Sequence, residues 1–188
     1  MQQSPALEEI FTLGLATASA SLSETTGARL TLHSFRVRPA ADFPDVAEAD
    51  HVDVVAGVAQ RFGGALRGTS VFTMEPEGAL AWSRSVVDAG SEPQQVISTF
   101  LDLSSRVVAD LVAVAARAMY SSEVDFDSPS LRESSRVAIV IGTHAPSDTA
   151  VVTLGFDVEF DEAVHRAHVD LLLEPKPLAA HWVGVETE

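Results

Sequence analysis

Two stretches of this chain nearly repeat each other. "FTMEPEGALAWS" runs from Phe72 to Ser83, and "LLEPKPLAAHWV" runs from Leu172 to Val183. Each has an apolar, strand-like lead, then Glu-Pro, a short Ala/Leu helix start and a Trp. A repeat of this kind constrains a fold strongly, because two copies of one unit must bury their apolar faces against each other. Aligning the Glu-Pro steps divides a single domain, residues 1–188, into halves of about 5–90 and about 91–186.

The same order of elements is legible in both halves. In the first, a helix-period segment from Leu7 to about Leu22 stops at Thr26-Gly27. Strand-like stretches follow at "RLTLHSFRV", "VDVVAGVAQRF" and "ALRGTSVFTM", with Gly63-Gly64 predicting a tight hairpin turn between the last two. Pro76 opens a short helix in the position where proline is tolerated. In the second half, Ser91-Glu92-Pro93 opens a helix from about Gln94 to Met119. The loop "SSEVDFDSPSLRES", strands at "RVAIVIGTH", "AVVTLGFDVEF" and "VHRAHVDLLL", and a helix opened by Pro175 complete the pattern. The acidic stretch "PAADFPDVAEADHVD" has no counterpart in the second half. The expected fold class is α+β: a pseudo-twofold, duplicated helix-strand-strand-strand-helix unit. About six strands form a mostly antiparallel sheet, with two long helices packed on it.

Placed at about 100° per residue, the long helices each show an apolar stripe. Leu7, Ile10, Phe11, Gly14, Ala18 and Leu22 form the first; Phe100, Ser104, Val107, Leu111, Ala115 and Ala118 form the second. Opposite the stripes lie Glu9 with Thr12, and Asp102 with Ser105, each pair three residues apart and so neighbours on the helix surface. The pairs are 93 residues apart in the chain, as equivalent positions would be. Beyond them run Ala16, Ala20 and Ser23 on one helix, and Ala109, Ala113 and Ala116 on the other. Such smooth strips suit close docking of another element, burial within the fold, or simple helix propensity.

Composition narrows the function. Twelve basic residues against 27 acidic give a formal charge of −15, which repels nucleic acid and anionic lipid. It attracts basic protein surfaces or simply keeps the chain soluble. The absence of cysteine excludes disulfides, thiolate metal sites and a cysteine nucleophile. "MQQSPALEEIF" lacks the basic and apolar regions of a signal peptide, and no apolar run approaches the roughly 20 residues of a membrane span. A cytoplasmic address is expected.

These residues resemble the CheC/CheX/FliY phosphatases of bacterial and archaeal chemotaxis. The family helix begins Glu-Ile-Gly-Asn and continues Gly- and Ala-rich; "EIFTLGLATASASLS" fits, with Glu9 at the Glu position and Thr12 at the Asn position. "DLSSRVVADL" matches the second motif, with Asp102 for Glu and Ser105 for Asn. "GGALRGTSVFTMEPEGAL" and "HVDLLLEPKPLAAHWVGV" look like the strand-turn-strand and closing segments. The resemblance implies hydrolysis of the aspartyl-phosphate of a CheY-type response regulator, with Glu9 or Asp102 pairing with a lysine of the regulator. Thr12 or Ser105 would orient the attacking water. It also implies no cofactor of the chain's own, the regulator supplying Mg²⁺, so that this protein positions and excludes. Neither Glu-x-x-Asn pair is intact. Threonine still offers a hydroxyl to a water, whereas Asp102 and Ser105 are both shorter than the family residues, and Glu9/Thr12 is the favoured site. The alternative is a catalytically lapsed adaptor of the same fold, binding a response regulator, a CheD-like deamidase or a flagellar switch component.

Other constellations are poor. His165 and His168, three apart in a strand, point to opposite faces. His33, His51, His144 and His181 show no ligand spacing. "DFDSPSLRE" lacks the glycine of a calcium loop. Trp82 and Trp182 read as packing anchors.

Overall fold

Helix α1 (Pro5–Thr26) ends where Gly27 takes a φ of 69°, its N–H donating to the Ser23 carbonyl, while the Thr26 hydroxyl donates to the Leu22 carbonyl. The structure, a computed structural model, describes residues 5–42, 54–88, 90–141 and 149–174. The helix expected at Pro175, Trp182, three of the six histidines (His51, His144 and His181) and residues 43–53 of the acidic stretch lie outside the described residues.

Strands β1 (Arg29–Pro39), β2 (Val54–Gly64) and β3 (Gly68–Met74) follow, then the short helix α2 (Pro76–Arg84), with Pro76 in its first turn. Helix α3 (Pro93–Tyr120) starts after Glu92 and stops at Ser121, whose left-handed φ of 52° ends the hydrogen-bond run. Strands β4 (Val124–Phe126) and β5 (Ser130–Ser135), helix α4 (Arg136–Ile141), and strands β6 (Ala150–Phe160) and β7 (Ala163–Leu173) complete the described chain.

Among the described residues all pairings are antiparallel, in the order β1-β6-β7-β3-β2-β4, with β5 also on β2. β4 pairs with Phe62–Gly64 and β5 with Val54–Ala59, so seven strands occupy six positions across the sheet. The central ladder reads the same from either strand: Gly68 faces Leu173, Val71 faces Asp170 and Met74 faces Ala167. On either side the pattern continues as β7-β6-β1 and β3-β2-β5. Each outer strand therefore comes from the opposite half of the sequence: β1 lies on β6, and β5 lies on β2.

Three sequence expectations are corrected. "RVAIVIGTH" is not a strand: residues 136–141 form α4, and β5 takes the edge position within the stretch read as a loop. The apolar residues of α4 find burial on the sheet face instead of in the ladder. Ile139 and Val140 pack with Val71, Val151 and Leu172. Arg136 holds α4 there, donating to both carboxylate oxygens of Asp170 at 2.7 and 2.6 Å. Asp170 is fully buried and also accepts from the Thr153 hydroxyl at 2.6 Å. The second correction concerns Gly63-Gly64, which still belong to β2; the turn lies at 65–67, where Leu66 is fully buried. Gly64, at φ 118°, serves close approach instead, because a Cβ there would sit 2.9 Å from the Glu123 carbonyl. The third is the phase of α3 near its end: Ala118 is exposed, and Ala116, expected on the outer strip, is fully buried.

The main core lies between the sheet and the two long helices. Phe72 is its aromatic centre, with ring centroids 6.1 Å from Trp82, 5.9 Å from Phe100 and 6.0 Å from Phe156. Phe11 and Leu111 reach it from α1 and α3 without residual exposure. Burial of these side chains, at about 25 cal/mol per Å² of apolar area, is the main force seating the helices that carry the candidate site.

Candidate functional site on the paired helices

Helices α1 and α3 run antiparallel against each other. Gly14 meets Leu111, while farther along α1 Ser21 and Thr25 meet Arg106, which comes earlier on α3. The approach at Gly14 is close: a Cβ there would lie 3.1 Å from Leu111 Cα and 3.2 Å from its carbonyl oxygen. A glycine at this point lets the two backbones meet, and their outer faces form one surface.

Glu9 and Thr12 lie on one side of that crossing and Asp102 and Ser105 on the other, so the structure keeps the two pairs apart as separate sites. Glu9, Thr12 and Asp102 are exposed. Ile10 is half-buried, while Phe11, Val107 and Leu111 are fully buried. The side chains of Glu9, Thr12 and Asp102 form no hydrogen bond or ion pair among the described residues. Leu13, next to Thr12, keeps 60% of its surface exposed.

Ser105 differs. Its backbone position is half-buried, but its Oγ is closed off from solvent and has no hydrogen-bond partner among the described residues. A hydroxyl without solvent contact cannot orient a water that arrives with a partner. Side by side, the two pairs are chemically unequal. Thr12 presents a free hydroxyl beside an exposed apolar side chain; Ser105 hides its own beside Arg106.

Arg106 and Asp110 were not singled out from sequence. Arg106 donates to Ser21 Oγ at 3.3 Å and Thr25 Oγ1 at 3.4 Å, bridging the helices. Asp110 accepts from Ser21; burial pushes its carboxyl up, and the charges of Arg106 and Arg117 and the Ser21 hydrogen bond oppose that. The spacing Arg106/Asp110, four apart on one helix face, is the sequence signal by which they can be found. The strips of small residues also part company. Ala16, Ala20 and Ser23 are exposed on α1, whereas Ala109 and Ala113 are only half-exposed on α3.

Among the described residues there is no group of three or more His, Asp or Glu side chains able to hold a metal ion. His33 and His168 sit edge to face on the sheet side away from α1 and α3, with ring centroids 6.3 Å apart. His165 stacks on Phe160 on the other side. No helix among the described residues is long and apolar enough to cross a membrane.

No family model and no curated protein sequence matches this chain. Solved structures do. Thermotoga maritima FliY superposes with a TM-score of 0.69 at 11% identity, over 96% of this chain and 96% of that one. FliM from an H. pylori FliM–SpeE complex gives 0.63 at 10% identity, over 98% and 100%. The chemotaxis protein CheX of Desulfovibrio desulfuricans gives 0.59 at 13% identity, over 90% and 99%. The chain has the CheC/CheX/FliY fold.

Proposed function

We propose that this protein is a chemotaxis-type signalling protein that hydrolyses the aspartyl-phosphate of a CheY-type response regulator through Glu9 and Thr12. The observation that carries this reading is the inequality of the two pairs. Glu9 and Thr12 stand free and exposed on α1, next to the exposed Leu13, while the Ser105 hydroxyl is closed off. Leu13 gives a docking partner apolar area to cover. Glu9 pairs with a lysine of the regulator, a charge-assisted contact. The Thr12 hydroxyl then holds a water in line with the phosphorus, a positioning role that needs no nucleophile here. Mg²⁺ comes with the regulator in this reading, and the residues of this chain only dock, orient and exclude solvent.

A second reading is a lapsed adaptor that binds a regulator, a CheD-like deamidase or a switch component. Two observations favour it: neither pair keeps the carboxamide, and FliM of the same fold forms a complex with SpeE. One assay separates the two readings: phosphate release from a phosphorylated cognate regulator, with and without this protein. Under the phosphatase reading, Thr12→Ala slows release within the complex by about 10–1000-fold and leaves binding nearly unchanged. Glu9→Ala weakens binding as well. A wild-type protein that binds the phosphorylated regulator without shortening its lifetime leaves the adaptor.

A further inference from the structure

Along β2, Val58 and Phe62 enter the core beneath α1 and α3, so Ala59 and Arg61, which alternate with them, face the other side of the sheet. The neighbouring strands add to that side in register. Thr69 of β3 faces Arg61, Ser130 of β5 faces Ala59, and Arg132 of β5 faces Gly57. Small side chains at Ala59, Thr69 and Ser130 leave a floor. Helix α4 makes a wall, because Ile139 occupies the space above Gly57, where a Cβ would lie 2.6 Å from its Cδ1. The result is a solvent-open cleft of about 700 Å³. Small-molecule sites span roughly 300–1,000 Å³.

The cleft offers two guanidinium groups to a ligand. Arg61 and Arg132 border it, both exposed, and neither guanidinium has an ion pair or hydrogen bond among the described residues. Asp127 and Glu133 also border the cleft, yet neither is within ion-pair distance of either arginine. Arg132 faces Gly57, four residues along β2 from Arg61, so the two guanidinium forks flank the floor of small side chains, and their planar donor geometry matches phosphate oxygens. Gln60 borders the same cleft. Its Nε2 donates to the Asp127 carbonyl at 2.8 Å, which fixes the carboxamide orientation and leaves a buried Oε1 without a donor among the described residues.

We propose that this cleft binds a small phosphorylated molecule, its phosphate held between Arg61 and Arg132. The site lies on the sheet face opposite the paired helices and is independent of the phosphatase reading; failure of either leaves the other standing. Titration calorimetry at low ionic strength with ribose 5-phosphate, inorganic phosphate and unphosphorylated ribose tests it. Ribose 5-phosphate binds in the expected result, inorganic phosphate binds more weakly, and ribose gives no heat. Arg61→Gln and Arg132→Gln each weaken ribose 5-phosphate about tenfold or more, the worth of a lost charge-assisted contact. Both arginines are exposed, so unchanged circular dichroism and melting temperature confirm that the variants fold. No binding at millimolar ribose 5-phosphate overturns the proposal. So does binding that survives in the double variant.

Discussion

Replacing Arg136 with methionine removes the guanidinium that donates to both oxygens of Asp170, at 2.7 and 2.6 Å. Asp170 is fully buried, and of the contacts described the Thr153 hydroxyl at 2.6 Å remains. A buried carboxylate stripped of its partner destabilises a fold by about 3–5 kcal/mol. Arg38 also feels the charge of Asp170, so the lower part of that range is expected. For a chain of this size each kcal/mol moves Tm by roughly 2–4 °C, so the melting temperature falls by about 6–12 °C. The same change frees α4 from the sheet and uncovers Val71, Val151 and Leu172. Paired substitution tells a different story. Arg136→Met with Asp170→Leu removes both charges and leaves stability within about 1 kcal/mol of the parent, or above it. Urea unfolding of the two single variants and the double variant, monitored by circular dichroism, gives the coupling energy directly. A single Arg136→Met variant that loses less than about 1 kcal/mol refutes the claim that this pair anchors α4.

Three further outcomes follow from positions already described. His168 is pushed down to about 4, first by burial and then by Arg136, with Asp170 opposing and His33 and Arg166 adding to the fall. Its folded value lies below the unfolded one, so the unfolded chain binds the proton first and stability is lost as pH falls from about 6.5 towards 4. The loss is on the order of 2–3 kcal/mol, and His168→Gln flattens that part of the pH–stability curve; an unchanged curve contradicts the assignment. Ser105→Ala removes a buried hydroxyl without a partner, so it leaves stability unchanged or raised by up to about 1 kcal/mol, and leaves phosphate release unaltered. A release rate that collapses in this variant places catalysis at the second pair. Gly14→Ala gains roughly 1 kcal/mol of helix propensity and pushes a methyl against the Leu111 backbone at a cost of about 1–3 kcal/mol. A net fall in Tm is expected, and a rise shows that α1 and α3 separate easily.

Much of the fold was legible because its signals are local. Helix stops at Gly27, the proline starts of α2 and α3, and the alternation of β6 and β7 all act within a few residues. The stretch 121–134 reads as a loop because β5 is an edge strand: Ser130, Arg132 and Ser134 alternate with few apolar partners, which looks like solvent-facing chain. Conversely, "RVAIVI" looks like a strand from its β-branched residues, and tertiary packing overrides that preference. Arg136 and Asp170 are 34 residues apart with no local pattern to link them. The candidate pairs followed from helix phase, which placed Glu9, Thr12 and Asp102 outward. What phase cannot give is the closure of the Ser105 hydroxyl, since a rotation of one side chain on a half-buried face decides it.

The exchange of outer strands between the two sides of the sheet sets a timetable for synthesis. Among the described residues β1 pairs with β6 alone, with Arg29 facing Glu159 across the ladder. At about 5–20 residues per second, the ribosome leaves β1 waiting on the order of 10 seconds before that partner exists. During this interval an 11-residue strand carries unpaired backbone groups along both sides. Its charged positions, Arg29, Arg36 and Arg38, are then useful in a second way, because like charges on neighbouring nascent chains resist strand-to-strand association. Substituting the exposed Arg29 and Arg36 with threonine is compatible with the finished sheet, yet it burdens the emerging chain, and the deficit appears as lower yield of soluble protein instead of a lower melting temperature.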